Sequence, residues 1–235
     1  MKYTFYIVIC SALLLMTSCS NELDNFDAPS SFLTGSITYN GESINVGRNR
    51  VRFELRQPGY ALTGAIDVAI AQDGSFSSRL FDGKYKLSFV PNDGPFRTVA
   101  TDTIYFDLKG NKTMDIEVDP YYMVRNAQIT NSGSVINASC SLEKIITGAD
   151  EKTIESARLF VNRTQFVDDT NEGKAWEATA DISNLSAVTA SVDISTVDNT
   201  PDKPEPDQNY LFARIGVKIS GVEDLLYSEV VKINL

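Results

Sequence analysis

The side chains that could do chemistry in this sequence are few, and no histidine is among them. Without an imidazole there is no Ser-His-Asp or Cys-His nucleophile and no histidine-ligated metal. Trp176 is the single tryptophan. An exposed indole can stack on a sugar face and donate from its ring N–H; the plainer alternative is a strand tryptophan half buried between sheets. Tyr121 and Tyr122 sit where two series of strands meet, a common place for small-molecule sites. Alternatively, both rings fill the seam as a clamp. Arg48, Arg50, Arg52 and Arg56 share a parity and could pair bidentately with a sulfated or uronic-acid glycan. Glu54 interrupts the row, however, and a solvated strand face explains it more simply. Asp168, Asp169 and Glu172 could ligate calcium, or a carboxylate pair could cleave a glycosidic bond. They lack the spaced ligands and glycine of an EF-hand, so solvated acids are the simpler account. Cys140 shares a face with Ile136, Ala138 and Leu142 and reads as a small buried hydrophobe. No cofactor is called for and no catalytic constellation is complete, so the expectation is a protein that is not an enzyme.

The N-terminus carries a processing signal. Lys2 precedes an apolar stretch over residues 5–16, too short to span a membrane but suited to a signal-peptide core. Met16-Thr17-Ser18-Cys19 follows and resembles the bacterial lipobox, whose cysteine is acylated and becomes the mature N-terminus. Residues 1–18 are therefore read as a lipoprotein signal peptide and Cys19 as the lipidation site. The alternative is a secretory signal or uncleaved anchor that happens to contain a cysteine. Cleavage leaves Cys19 and Cys140, and with Cys19 lipidated no intrachain disulfide can form. Residues 19–31 are polar, acidic and aperiodic, a flexible tether. Glu22 and Asp24 are an imperfect match to the surface-export signal of Bacteroidetes lipoproteins. The expected location is the outer membrane, lipid-anchored and facing the cell surface, with the periplasmic face as the alternative. Asp102-Thr103-Ile104 resembles the Bacteroidetes O-glycosylation acceptor, or is an ordinary turn leading into a strand.

The elements that must position these groups are strands. The chain is 43% hydrophobic and 22% charged, a globular composition, and its net charge of −10 argues against a nucleic-acid partner. Val51, Phe53 and Leu55 alternate with polar residues, as do Tyr85, Leu87 and Phe89, and Met114, Ile116 and Val118. Asp73-Gly74, Asp82-Gly83 and Asp93-Gly94 supply turn chemistry between them. Near residue 120 the pattern resets. Ile136 to Leu142, Ala157 to Val161, Val188 to Ile194 and Leu211 to Ile219 then alternate in turn, and a last strand is expected over 225–235. An acidic, proline-bearing stretch between Val197 and Asn209 reads as a long loop. Residues 120–235 hold most of the negative charge, a net of −7. The expected fold is all-β: two tandem antiparallel β-sandwich domains, 32–119 and 120–235, after a lipidated N-terminal tether.

Residues 33–41, Gln72-Asp73-Gly74-Ser75-Phe76 and Leu80-Phe81-Asp82-Gly83-Lys84-Tyr85-Lys86-Leu87 resemble the opening strand and later signature of a carboxypeptidase-regulatory-like, transthyretin-like sandwich. The second half, most visibly residues 210–217 and 227–233, is similar to fibronectin-III or immunoglobulin-like sandwiches. Lipobox, transthyretin-like domain and second sandwich in that order resemble a two-domain Bacteroidetes lipoprotein family of unknown function (domain of unknown function 3823). Its members often sit beside the paired porin and glycan-capture lipoprotein of starch-utilisation-type systems. The resemblance therefore implies a non-enzymatic outer-membrane lipoprotein, an accessory or glycan-binding component of polysaccharide uptake. Implied partners are the lipid membrane through acylated Cys19, a glycan, and the porin-type transporter with its capture lipoprotein. One alternative is a structural or interaction module that docks to the transporter without binding sugar. A glycan-active enzyme with an unrecognised carboxylate site is the more distant one.

Overall fold

The computed structural model describes residues 27–58, 64–98, 103–195 and 208–235. The leader, Cys19 and most of the tether, Asp102, and the proline-bearing stretch through residue 207 lie outside the described residues. The first half runs through β1 (Ser31–Tyr39), β2 (Glu42–Ser43), β3 (Arg52–Arg56), β4 (Ile66–Ala69), β5 (Ser75–Leu80), β6 (Gly83–Phe89), β7 (Phe96–Arg97), β8 (Ile104–Leu108), β9 (Lys112–Thr113) and β10 (Ile116–Glu117). β11 (Asp119–Pro120) leads to β12 (Tyr122–Ser132), β13 (Val135–Lys144), β14 (Ile154–Asn162), β15 (Trp176–Thr179), β16 (Val188–Asp193), β17 (Tyr210–Ile219), β18 (Leu226–Tyr227) and β19 (Val231–Asn234).

In the first half an antiparallel sheet of order β4-β3-β6-β8 packs on a sheet built around β1. Phe53, Leu55, Tyr85, Leu87, Phe106 and Leu108 point inward to meet Leu33, Ile37, Phe76, Leu80 and Ile116. Phe53 meets Phe76 edge-on at 5.0 Å between ring centroids. Each such side chain contributes roughly 1.5–3 kcal/mol by leaving water. Asn40 and Gly41 join β1 to β2 with φ of 51° and 79°, the two left-handed residues a tight hairpin turn needs. One pairing departs from the antiparallel expectation: β9 and β10 lie parallel to β1, in registers Leu33↔Lys112 and Ile37↔Ile116. A parallel pair needs a long crossover, and here the whole of the first half supplies it, because β1 opens that half and β10 closes it.

In the second half β12-β13-β16 packs on β15-β14-β17, to whose free edge β18 and β19 are added. Ile136, Ala138, Cys140 and Leu142 of β13 face Ala157, Leu159, Val161, Leu211, Ala213, Ile215 and Val217 as one core. The single last strand expected over 225–235 is broken at 228–230. The Ser228 side chain takes over a rung of the ladder: its Oγ accepts from Ile215 N at 3.0 Å, while its N–H donates to Ile215 O at 2.9 Å. Between the pairs Ala213↔Val231 and Gly216↔Tyr227 the C-terminal segment is longer than β17, so it bulges.

The β14-β17 sheet is buried on both faces, and its second face joins the halves. There Phe160, Val167, Leu225 and Tyr227 form a smaller cluster. Loop 44–47 of the first half closes over it: Tyr227 N donates to Asn45 O at 3.1 Å and Gly47 N to Asp224 Oδ2 at 2.7 Å. Arg214 of β17, fully buried, lies 3.7 Å from the Tyr227 ring centroid and donates from Nη1 to Val46 O at 3.0 Å. Burial pulls its pKa down to about 10 against the opposing fields of Tyr227, Asp168, Asp224 and Asp169. Burial also pushes the Asp224 carboxyl up to about 6.

Two outcomes follow from this seam. Arg214→Ala strands the Val46 carbonyl and the neighbouring carboxylates, and is expected to cost about 3–5 kcal/mol. Urea unfolding followed by Trp176 fluorescence, a second-half probe, and by far-UV ellipticity should then give separated transitions instead of one. Coincident curves at an unshifted midpoint would show that Arg214 does not couple the halves. For Asp224 the folded pKa of about 6 stands above the model value of 3.8, so the native state binds its proton more tightly than the unfolded chain. Its effect is therefore a loss of stability as pH rises from about 4 to about 6, of the order of 3 kcal/mol at most. The difference in unfolding free energy between wild type and Asp224→Asn should change across that window and be flat above it; a constant difference would contradict the assignment.

Candidate functional site

The outer face of the β4-β3-β6-β8 sheet carries the most exposed large hydrophobic side chain among the described residues, Tyr105, at 70%. Phe106 and Leu108 of β8 turn into the core, so alternation sends Tyr105 and Asp107 outward. The register places Arg56 opposite Lys86 and Lys86 opposite Tyr105, a row of three across β3, β6 and β8. Directly opposed side chains on one face lie about 5 Å apart, within mutual reach. Arg56 is paired with Glu54 at 2.7 Å, Lys84 with Asp107 at 3.6 Å and Arg52 with Asp67 at 4.0 Å. Lys86 has no carboxylate partner among the described residues. The row thus offers an open aromatic face next to an uncompensated cation on a rigid sheet. Such a surface can stack a planar or pyranose ring and hold a polar substituent beside it.

A second surface lies on the outer face of β12-β13-β16, where the cross-strand rows Thr130–Asn137–Ser191 and Gln128–Ser139–Thr189 meet. With Thr179 and Asp181 they line a shallow depression of about 480 Å³. Its hydrogen-bonding groups are almost all uncharged, but no aromatic ring lines it.

The residues singled out in the sequence fall elsewhere, and the structure does not bring them together. Trp176 is partly buried at the start of β15 against the main core, and the Arg163 guanidinium lies 5.3 Å from its ring centroid. Tyr121 and Tyr122 are buried, at 6% and 2% exposure. Tyr121 N donates to Pro95 O at 3.1 Å and its carbonyl accepts from Ile145 N at 3.0 Å, while Tyr122 OH donates to Lys152 O at 2.8 Å. Both rings clamp the seam, and Tyr121 only edges a surface depression with Arg97, Asp150 and Lys152.

The arginine row disperses. Arg48 stacks 4.5 Å from the Phe166 ring, and Arg50 lies 4.0 Å from Asp224. The acidic loop is likewise divided. Asp168 is buried and its Oδ1 accepts from Thr170 N at 2.9 Å and from Thr170 Oγ1. Asp169 is engaged with the Tyr227 hydroxyl at 3.3 Å, and Glu172 is exposed. Gly173 packs so closely that a Cβ would overlap the Asp168 carboxylate. Among the described residues no group of three or more acidic or thiol side chains could hold a metal ion. The signal that finds Tyr105 is the run Ile104-Tyr105-Phe106-Asp107-Leu108, whose parity exposes it; Lys86 becomes its neighbour only through the pairing of β6 with β8.

Two family models match the chain: the N-terminal domain of a protein of unknown function, DUF3823, over residues 31–119, and the DUF3823 C-terminal domain over residues 122–232. Among solved structures, a DUF3823 family protein from Bacteroides ovatus is 34% identical, with a TM-score of 0.75 over 88% of this chain and 100% of that one. A DUF3823 family protein from Parabacteroides merdae is 33% identical, with the same TM-score and coverage. A Bacteroides uniformis protein described as a candidate carbohydrate-binding protein is 22% identical, with a TM-score of 0.70 over 88% of this chain and 100% of that one, a likeness of fold. A comparison with curated proteins found no match.

Cys140 is 5% exposed, and burial pushes its thiol up to about 11. Both factors suppress thiolate chemistry. In folded protein at pH 8, labelling of Cys140 by a maleimide is expected to be slower than in urea by a factor that tracks global stability. Labelling at the rate of a free thiol would show an open, reactive site instead.

Proposed function

The chain belongs to the DUF3823 family, and from that premise we propose that it is a lipid-anchored, non-enzymatic glycan-binding protein of the outer membrane, serving as an accessory to a starch-utilisation-type polysaccharide uptake system. The observation that carries the reading is Tyr105, an open ring on a rigid sheet beside Lys86. Sugar C–H groups pack on such a ring while its hydroxyl and the neighbouring ammonium bond to hydroxyl oxygens. The lipobox-like Met16-Thr17-Ser18-Cys19 supports the anchor. The naming of one structural relative as a candidate carbohydrate-binding protein is of the same kind. Binding without chemistry agrees with the acids of the 168–172 loop, since Asp168 is buried in its own turn and cannot attack a glycosidic carbon.

A glycan array with the lipid-free protein, begun after Cys19, tests the proposal. Saturable binding is expected, and Tyr105→Ala should weaken it at least about tenfold, the loss expected when an aromatic stacking contact is removed. Trp176→Ala should leave it within about twofold, since that ring is covered. Binding that survives Tyr105→Ala would move the site; silence across the array would overturn glycan binding.

A further inference from the structure

The end of the first sandwich where the tether joins carries two exposed phenylalanines and three cations. Phe32 is 41% exposed and Phe81 is 48% exposed. In the β1–β5 ladder Ser31 faces Leu80 and both are buried, so the next pair, Phe32 and Arg79, points outward, and Phe81 follows immediately. The Arg79 guanidinium lies 6.0 Å from the Phe32 ring centroid. Lys109 and Lys112 flank the same end: Lys112 pairs with Leu33, Phe32 N donates to Asn111 Oδ1 at 3.1 Å, and Gly110 N donates to Asp82 Oδ1 at 2.9 Å. Asp82 also accepts from Ser31 Oγ, so one carboxylate pins the first residue of β1 to both loops. Among the described residues none of Arg79, Lys109 and Lys112 forms an ion pair. In a chain of net charge −10, an end with three free cations and two open rings is an exception.

Chain length says what lies opposite. Cys19 is 12 residues before Ser31. Such a segment spans at most about 40 Å extended and about 20 Å as a flexible coil. A lipid on Cys19 therefore keeps this end within reach of the bilayer surface at all times, at high effective concentration.

We infer that this end of the first sandwich rests on the bilayer, with Phe32 and Phe81 at the headgroup level and Arg79, Lys109 and Lys112 against anionic lipid phosphates. Partial burial of apolar rings combined with basic residues is the recipe for interfacial binding, and each element is weak alone. The contact fixes which way the protein stands. β1 runs away from the membrane, and loop 44–47, where the second half attaches, lies about 20 Å farther along it. The second sandwich is thereby held away from the lipid. The inference rests on acylation of Cys19, which the test reads separately.

The test uses the full chain, purified with its native processing and placed in vesicles of phosphatidylethanolamine with about a quarter phosphatidylglycerol. Mass spectrometry first establishes the acyl group. Hydrogen exchange at residues 31–34, 79–83 and 108–112 is then compared with that of a soluble form begun at Ser20. Exchange at least about fivefold slower on vesicles is expected in these segments, with residues 176–179 unchanged. The doubly substituted Phe32→Ser/Phe81→Ser protein, still acylated, should return to the soluble rates. Both side chains are exposed, so the fold should survive, and an unchanged exchange pattern in the β14-β17 sheet checks it. Acylated protein whose three segments exchange as in solution would overturn the inference while leaving the anchor intact, and would point to a protein partner for the patch. Unacylated protein would overturn both.

Discussion

Arg214 is charged, buried and shared between the two halves: β17 of the second carries it, and the Val46 carbonyl of the first accepts from it. A guanidinium removed from water must be compensated or it unfolds the region around it. Here the compensation comes from separate parts of the chain: the Tyr227 ring beneath it, the fields of Asp168, Asp169 and Asp224, and the loop 44–47 backbone. None of these is complete if the halves part. Gly47 N is held by Asp224, and Asp224 N by the Asp93 carbonyl, so the charged cluster and the backbone of the first half stabilise each other. Ionic burial of this kind adds little net stability compared with apolar packing, but it penalises every alternative arrangement of the two sandwiches.

Welding at this seam leaves the molecule with distinct working surfaces instead of a cleft. The Tyr121–Tyr122 junction, where a hinge site was expected, is consumed by the weld, both phenols lying in the seam. What stays open is on the outer faces of the sheets and at the tether end. The Arg56–Lys86–Tyr105 row and the Phe32–Phe81 end both belong to the first sandwich, and the polar rows of β12-β13-β16 to the second. Their mutual placement is set by the same buried cluster.

Strand content was legible because a half-buried strand must alternate. Phe53 and Leu55, Ile136 to Leu142 and Leu211 to Ile219 are buried at the parities their apolar residues announce. Parity failed where a sheet is covered twice. Arg214 occupies an outward position of β17 and by alternation should be solvated, yet it is fully buried because loop 44–47 lies over that face. It failed again at the C-terminus, where the apolar run reads as one strand but the Ser228 side chain interrupts the ladder. For the candidate site, residue type misled. Trp176 and the paired tyrosines drew attention as rare or clustered aromatics, but large rings are also what a core needs, and they went there.

The sequence alone therefore determined the elements and the address: strands from period-two burial, turns from Asp-Gly and Asn-Gly pairs whose backbone few other residues adopt, and a leader and lipobox-like motif that are read locally. Tertiary structure alone decided which strands neighbour one another, that β9 and β10 run parallel to β1, and that Lys86 stands beside Tyr105 while Arg214 is hidden. The physical reason is one of range. Alternation and turn chemistry depend on a residue and its near neighbours, whereas pairing and second-face burial depend on what a distant segment covers. No local pattern encodes that.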